Sequence, residues 1–170
     1  KKDRIRAKDK KKDNPEVYYK ENKKQLQDLV QHIARLIDEG VHCIDCDRTD
    51  AHRWDGGHFV SKGSNKSISL NLHNIFRQNG WGNNQGQTSN EAFLVGINKV
   101  YGEDYGDYVN NLTLQYTYIG IKAPEYPEKI TEALKIVREL KKAGLQYPVK
   151  MRIKLRNKYN ERIGIYKDNY

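Results

Sequence analysis

Residues 54–61 read WDGGHFVS, and this stretch decides the fold. It lies within residues 41–83, which are rich in Gly, Asn, Asp and Ser and contain only short apolar pieces. One such piece begins at His58 and a second spans 68–72. Short apolar runs between turn-forming residues predict strands rather than helices. We therefore predict two short strands and then a loop, with His58 at the start of the first strand.

Helical spacing appears on both sides of this stretch. Apolar residues recur at that spacing over 26–37, and Gly40 stands where a C-terminal cap belongs. The spacing returns over 93–105, although Gly96 weakens it. A further helix is predicted over 129–143, after two prolines. Helices around a pair of short strands predict an α+β fold.

The chain divides into three parts on this pattern. Residues 1–24 form a basic arm, residues 25–110 carry the first helix and the strands, and residues 111–170 hold a linker, a C-terminal helix and a basic tail. Residues 110–121 fit an extended strand or a linker. Residues 150–158 alternate basic and apolar side chains, which predicts an amphipathic strand with one cationic face.

Positive charge is concentrated at the two ends. Residues 1–24 hold eleven Lys and Arg against five acidic residues, and residues 150–170 hold seven against two. The whole chain carries +9, so the middle is close to neutral. This distribution favours a protein that holds a polyanion with its ends, and several of the twelve tyrosines could stack on bases. Solubilising tails are the alternative.

Several classes of protein are disfavoured. Cys43 and Cys46 are too close for an ordinary disulfide, which suits metal binding or a reduced cytosolic protein. The sequence has no signal-like apolar segment at its start and no run of 18 or more apolar residues. We expect a cytoplasmic protein without a membrane span.

The central stretch offers the parts needed to cleave a phosphodiester with one metal ion: a base, a held cation and a rigid frame. His58 has an ordinary pKa of about 6.5, so its neutral form can accept a proton. Asn74 could fix the loop between the strands by hydrogen bonds to backbone. Asn84 lies at the mouth of the next helix, where its side-chain oxygen suits Mg²⁺.

Each of these residues also has a structural explanation. A single histidine in a strand is usually structural, although Gly56 and Gly57 would leave space for a phosphate backbone to approach His58. His73 competes for the catalytic role and otherwise supports the loop. Asn84 could be a plain helix cap, and Asp55 a turn residue.

Basic side chains near these residues could contact phosphate. They are Lys62, Lys66 and Arg77. Charged residues in loops are more often merely solvated.

The order of these residues carries a resemblance. The pattern Cys-x2-Cys, Asp-Gly-Gly-His-Phe, Leu-His-Asn, Gln78 and Asn84, then Asn90 and Val-Tyr-Gly-Glu from Val100, resembles the NinG (Rap) recombination proteins of lambdoid and related phages. It covers about residues 25–110. Members are assigned to the HNH, or His-Me finger, superfamily.

The resemblance implies a fold, an activity and residue roles. The fold would be a treble-clef-like ββα-metal core, and the activity structure-selective cleavage of branched DNA, including Holliday junctions, during phage recombination. His58 would be the general base and Asn74 the central residue of the motif. Asn84 would bind the single Mg²⁺ or Mn²⁺, as a His does in many relatives, and Asp55 would be a second ligand or an orienting group.

One departure concerns zinc. Relatives with a complete knuckle carry a second cysteine pair, whereas Asn79 and Asn83 stand in that stretch here. Neutral amides are poor zinc ligands, so a four-thiolate site cannot form. Cys43 and Cys46 are then a zinc remnant, or they recruit a histidine such as His42 or His52. We expect that structural zinc has been lost.

The sequence thus predicts a metal-dependent DNA endonuclease that leaves 5′ phosphates. The resemblance further implies that its partner would be branched DNA inside a phage-infected or prophage-bearing bacterial host, and a homodimer would match the two-fold symmetry of a junction. The main alternative is a non-catalytic nucleic-acid-binding module that keeps a degraded zinc knuckle as scaffold. A ribosome-associated or RNA-packaging protein is a third alternative, in which the GGHF block has no role.

Overall fold

The computed structural model describes residues 15–81, 89–116, 120–167 and 170. The described chain is mostly helical with one two-stranded antiparallel sheet, which agrees with the predicted α+β class. Its helices and strands are α1 Pro15–Ile37, β1 Trp54–His58, β2 Ile75–Asn79, α2 Asn90–Tyr101, α3 Glu103–Asn110, α4 Leu112–Gln115, α5 Tyr126–Ala143 and α6 Val149–Ile163. Two 3₁₀ turns, Leu72–Asn74 and Ala123–Glu125, precede β2 and α5.

Helix α1 is longer than the sequence pattern predicts. It begins at Pro15, which is pre-set for a first helical turn, so residues 15–24 of the predicted basic arm belong to this helix. The first fourteen residues of that arm lie outside the described part. The predicted apolar stripe is buried from Leu26 to Ile37, and Gly40 takes a left-handed φ of 81° after the helix.

The two strands form a hairpin in which Trp54 faces Asn79 and His58 faces Ile75. His58 therefore ends the first strand, whereas the sequence pattern placed it at the start. Paired residues share a face, so one face of the sheet carries His58 and Ile75 and the other carries Asp55. Helices cover both faces.

The second strand is not the predicted one over 68–72. Asn71 Oδ1 accepts a hydrogen bond from the His73 N–H at 2.8 Å and caps the 3₁₀ turn before β2. Every residue of β2 is buried, so this strand lacks the polar alternation by which a half-exposed strand is recognised in a sequence.

The hairpin separates two hydrophobic clusters. On the His58 face, α1, α5 and α6 pack around Leu72 and Ile75. On the other face, Phe93 of α2 contacts Phe59 and Phe76 with ring centroids 5.9 Å from each. The helix that continues this second cluster is broken at Gly102, where φ is 94°, so the predicted helix over 93–105 is two helices.

The C-terminal part departs most from expectation. Residues 150–158 form part of α6 rather than a strand, because the buried side chains recur every three or four residues. The stretch predicted as strand or linker contains the short helix α4, and its residues 117–119 lie outside the described part. The helix predicted over 129–143 is confirmed as α5 and ends at Gly144. None of the described helices has the length and apolar character to cross a membrane.

Candidate active site

His58 lies at the end of β1, where pairing with Ile75 fixes its backbone. Its Nε2–H donates to the carbonyl oxygen of Ser69 at 2.9 Å. A carbonyl can only accept, so in the neutral imidazole the proton lies on Nε2 and the lone pair on Nδ1. Burial lowers the pKa of His58 to about 4, with a further contribution from the charge of Lys62. At neutral pH this imidazole is a proton acceptor with a fixed tautomer.

Asn74 joins the two ends of the loop between the strands. Its side-chain oxygen accepts from the Val60 N–H at 2.9 Å, and its amide donates to the carbonyl oxygens of Val60 at 3.0 Å and Ile68 at 3.2 Å. These are hydrogen bonds to backbone of the kind that the sequence predicts for this residue. They hold the loop that begins directly after His58.

His73 is a structural residue in the described chain. Its side chain is fully buried, with Nδ1 2.7 Å from the Tyr105 hydroxyl and Nε2 2.7 Å from Asn157 Oδ1. Burial lowers its pKa to about 3. Both ring nitrogens are occupied, so His73 does not compete with His58 for a reacting proton.

The structure does not bring Asp55 together with His58. The two residues are three positions apart in β1 and face opposite sides of the sheet. Asp55 instead accepts two hydrogen bonds from Arg53, each at 2.9 Å. The predicted role as a second metal ligand beside His58 is therefore not supported by the geometry of β1.

The two glycines before His58 make room for protein rather than for phosphate. A Cβ at Gly56 would lie 2.9 Å from the backbone oxygen of Gln31 in α1. A Cβ at Gly57 would lie 1.8 Å from Oε1 of Gln78. Both glycines are buried, which corrects the interpretation of this pair as a phosphate approach.

Asn84, the predicted metal ligand, lies outside the described residues, as does Asn83. The next described helix begins six residues later at Asn90. Its cap is Ser89, whose hydroxyl accepts from the Ala92 N–H at 3.1 Å. The N-terminal cap of α2 is therefore Ser89, and the alternative role of Asn84 as a cap does not apply to this helix.

The three basic residues predicted to contact phosphate have different surroundings. Lys62 and Lys66 are exposed and line a cleft of about 250 Å³, to which Lys23 of α1 adds a third ammonium group. No described residue lining this cleft is acidic, and none of the three lysines forms an ion pair with a described residue. This cleft is named the lysine cleft below.

Arg77 is not part of this surface. Its side chain is 9% exposed, its guanidinium carbon lies 4.0 Å from the ring centroid of Trp54, and Nη1 lies 3.3 Å from a carboxylate oxygen of Glu39. These contacts hold the segment after α1 against the hairpin and leave little of Arg77 exposed, so its surroundings do not favour the phosphate contact that the sequence suggested.

The cysteine turn, residues 43–47, packs between β2 and α2. The Ile44 N–H donates to the Arg77 carbonyl at 3.1 Å, and Asp47 adopts a left-handed φ of 59° that reverses the chain. A Cβ at Gly96 would lie 1.5 Å from the Ile44 carbonyl oxygen, so only glycine allows this contact. Gly96 lowers the helix propensity of this stretch, but the close contact with the cysteine turn requires a glycine at this position.

Three side chains of this turn could meet at a metal. The two cysteine sulfurs and a carboxylate oxygen of Asp45 all lie within 4.8 Å of one another. The Cys43 thiol donates to Asp45 at 2.8 Å, and the Gln78 amide donates to the same carboxylate at 2.6 Å. The third candidate ligand is thus Asp45. The two histidines suggested from the sequence lie outside this cluster: His42 contacts Asp47 at 3.3 Å, and His52 is not part of the group either.

These residues do not fit a closed structural zinc site, which needs four ligands. All five histidines are described and none joins the cluster, and residues 82–88 contain neither Cys nor His. In the metal-free turn, burial and the hydrogen bond to Asp45 raise the pKa of Cys43 to about 12, so its thiol keeps the proton that it donates to Asp45. The turn is held by packing and hydrogen bonds among described residues.

The family model described as "NinG: Bacteriophage Lambda NinG protein" matches residues 1–143. The chain belongs to the NinG family. Neither the curated proteins nor the solved structures compared with it gave a match. The NinG match includes the hairpin, the cysteine turn and α5, and it ends before α6.

Two groups of residues around this NinG-family site are not found by sequence reasoning. Lys23 lies far along the chain from Lys62, and only the folding of α1 onto the hairpin brings them to one cleft. The second group consists of polar residues of α6, such as Arg156 and Asn160, which form hydrogen bonds to the segment before β2. They were missed because the alternating basic and apolar residues of this stretch predicted a surface strand. The signal available in the sequence was the spacing of four residues between Arg152 and Arg156 and between Arg156 and Asn160, which places these side chains on one face of a helix.

Proposed function

We propose that this chain is a metal-dependent DNA endonuclease of the HNH, or His-Me finger, superfamily, with His58 as general base. The observation that carries the proposal is the state of the His58 ring: neutral, with Nε2 bound to the Ser69 carbonyl and the lone pair on Nδ1. Nδ1 makes no hydrogen bond with any residue that the structure describes. A base with this fixed orientation suits proton transfer from water.

The arrangement around His58 supports the superfamily assignment. The order of strand, strand and helix from β1 to α2 is that of a ββα core, and the cysteine turn packs against it where a treble-clef knuckle would. Asn74 would be the central asparagine of the motif, and its hydrogen bonds to Val60 fix the loop after the proposed base.

In the proposed reaction the chain's own groups have separate tasks. His58 Nδ1 accepts a proton from the attacking water, and its imidazolium is the product of that step. Lys62 and Lys66 hold the phosphate backbone in the lysine cleft. As water attacks phosphorus, the bond to the 3′ oxygen breaks and that oxygen takes a proton from solvent water. The products are a 5′ phosphate and a 3′ hydroxyl, and His58 then returns its proton to solvent. Asn74 keeps the loop, and hence Lys62, in register with His58.

A bound Mg²⁺ or Mn²⁺ would supply positive charge to the scissile phosphate and to the leaving oxygen. Asn84 remains the proposed ligand, but it lies outside the described residues, and Asp55 faces away from His58. The described side chains therefore support the role of His58 as a base more directly than they support a binding site for the metal ion.

The proposed substrate is branched DNA such as a Holliday junction, cut during phage recombination. Membership of the NinG family supports the phage context. A site of this kind reads no bases, so selectivity would come from DNA shape, with a homodimer matching the symmetry of the junction.

The test uses purified protein with four-way-junction, forked and linear DNA in Mg²⁺, Mn²⁺ or EDTA. We expect metal-dependent cleavage that is lost in His58→Ala, with His52→Ala as the matched control because His52 is an exposed histidine outside the site. Cleavage that persists in His58→Ala, or that needs no metal, would contradict the mechanism.

A non-catalytic nucleic-acid-binding module is the second candidate. The position of Asp55 on the other face of β1 favours it, because the one carboxylate proposed as a metal ligand beside His58 faces away from that residue. Under this alternative the protein binds branched DNA in all three ionic conditions without cutting it, and His58→Ala binds as tightly as the unchanged chain.

A further inference from the structure

Helix α6 forms hydrogen bonds with the segment Asn71–Ile75, which contains Asn74. Asn160 Oδ1 accepts from the Leu72 N–H at 3.0 Å, and its amide donates to Asn71 Oδ1 at 2.9 Å. Asn71 Oδ1 is also the cap of the 3₁₀ turn, so Asn160 holds the group that shapes the turn. Asn71 and Asn160 are 0% and 1% exposed, which makes these bonds costly to break.

Arg156, one turn earlier on α6, holds the same segment from its carbonyl side. Its guanidinium donates to the carbonyl oxygens of Leu72 and Ile75, the latter at 2.8 Å. It also donates to both carboxylate oxygens of Asp38, each at 2.8 Å. Arg156 is fully buried, so this cation lies inside the fold and does not belong to a DNA-binding surface as the basic pattern suggested.

The segment is held at a third point through His73. Asn157 of α6 accepts from His73 Nε2–H at 2.7 Å, and Tyr105 of α3 donates to Nδ1. The residues on both sides of Asn74 are therefore fixed by α6, while the side chain of Asn74 itself is left to bind the loop after His58.

We propose that α6 is an integral part of the catalytic site, with Asn160, Arg156 and Asn157 as positioning residues that act through Asn74 on the loop after His58. The proposal rests on the proposed nuclease function. It adds a requirement that the family match does not contain, because that match ends at residue 143 and α6 begins at Val149. A chain cut after Gly144 would keep the matched region and lose the support of Asn74.

The first variant is Asn160→Ala, compared with Arg162→Ala on the same helix. Arg162 also anchors α6, through four charge-assisted hydrogen bonds to Glu132 and Glu139, but it makes none to the 71–75 segment. Two readouts are needed: kcat for DNA cleavage, and hydrogen exchange at the Val60 amide, which donates to Asn74.

We expect Asn160→Ala to speed Val60 exchange about tenfold and to lower kcat by about ten- to a hundredfold with KM little changed. Arg162→Ala should leave both values within about twofold after correction for any change in melting temperature. Equal losses in the two variants, or unchanged Val60 exchange in Asn160→Ala, would overturn the positioning role.

A second variant covers the case in which Asn160→Ala does not fold. Asn157→Ala, at a half-buried position, removes the acceptor of His73 and a donor to the Tyr170 carbonyl, but no direct bond to Asn71 or Leu72. It should raise Val60 exchange in the same direction. If the unchanged protein cuts no DNA, the nuclease proposal fails by itself, and the exchange data still decide whether α6 holds Asn74.

Discussion

At the scale of single residues, two buried histidines make the stability of the protein sensitive to pH. Burial lowers the pKa of His58 to about 4 and that of His73 to about 3, whereas the unfolded chain binds these protons near pH 6.5. Their contribution to stability is complete above pH 6.5 and is lost as the pH falls towards the folded values. At pH 5 each histidine lowers the free energy of unfolding by about 2 kcal/mol.

Urea unfolding at pH 7.5 and pH 5.0 measures this loss. We expect a difference of about 4 kcal/mol in the unchanged chain, and about half of that in His58→Gln. The ion-paired carboxylates with lowered pKa values, such as Glu132 and Glu139, lose their contribution mainly at lower pH. Equal stability at the two pH values would show that neither imidazole is held neutral.

The cysteine turn gives a second prediction at this scale. Elemental analysis of protein purified without chelator should show well under one zinc per chain, because three candidate ligands cannot close a four-ligand site. Cys43→Ser serves as the control for adventitious metal. One zinc per chain, lost in Cys43→Ser, would show that Asp45 and a further group complete the site.

At the scale of elements, the packing of α2 on the cysteine turn depends on the absence of a side chain at Gly96. Gly96→Ala adds a methyl group that would meet the Ile44 carbonyl oxygen at 1.5 Å, so α2 must move away from the cysteine turn. Alanine favours a helix by about 1 kcal/mol over glycine, but the clash should outweigh that gain and destabilise the fold by about 1–3 kcal/mol.

Thermal or urea unfolding tests this prediction. Val95→Ala, at a position that is 66% exposed on the same helix, is the matched control and should change stability by less than about 0.5 kcal/mol. A Gly96→Ala protein that is more stable than the unchanged chain would mean that the turn does not pack on α2 as described.

The same elements show what the sequence can and cannot predict. Helices α1 and α5 were predictable because each presents an apolar stripe to one core and is followed within three residues by a glycine of positive φ. Strand β2 and helix α6 were not, since β2 is buried on both faces and α6 buries arginine and asparagine. Burial of Arg156 depends on Asp38, which lies 118 residues away and cannot be paired with it by local pattern.

The site follows the same division. His58 and the hydrogen-bonding pattern of Asn74 could be inferred from the WDGGHFVS block and the asparagine after it, because those features are local. The orientation of Asp55 depends on strand register, and the surroundings of Arg77 depend on how the segment after α1 packs on the hairpin. Both are properties of the folded chain. The family resemblance therefore suggested a metal ligand, and nearness in the sequence a phosphate contact, that the structure does not favour.

At the scale of the whole molecule, the lysine cleft predicts how binding responds to salt. Replacing Lys23, Lys62 and Lys66 together by alanine should weaken DNA binding in EDTA and reduce the slope of log K against log salt by up to about 3, since each phosphate contact contributes about 0.9. Binding titrations at several salt concentrations measure the slope.

The control is a triple variant with the same change of charge on α5, at Lys135, Lys141 and Lys142. It should keep most of the slope, because these side chains lie outside the lysine cleft. Equal effects of the two triple variants would mean that net charge, rather than the cleft, governs binding.

The ion pair between Asp38 and Arg156 also bears on how the chain folds during its synthesis. Asp38 leaves the ribosome long before Arg156, and both side chains end almost completely excluded from water. A hairpin that docked on α1 before then would bury a carboxylate whose cationic partner had not been translated, which is unfavourable. The nascent chain is therefore expected to delay closure of its central layer until α6 has emerged from the ribosome.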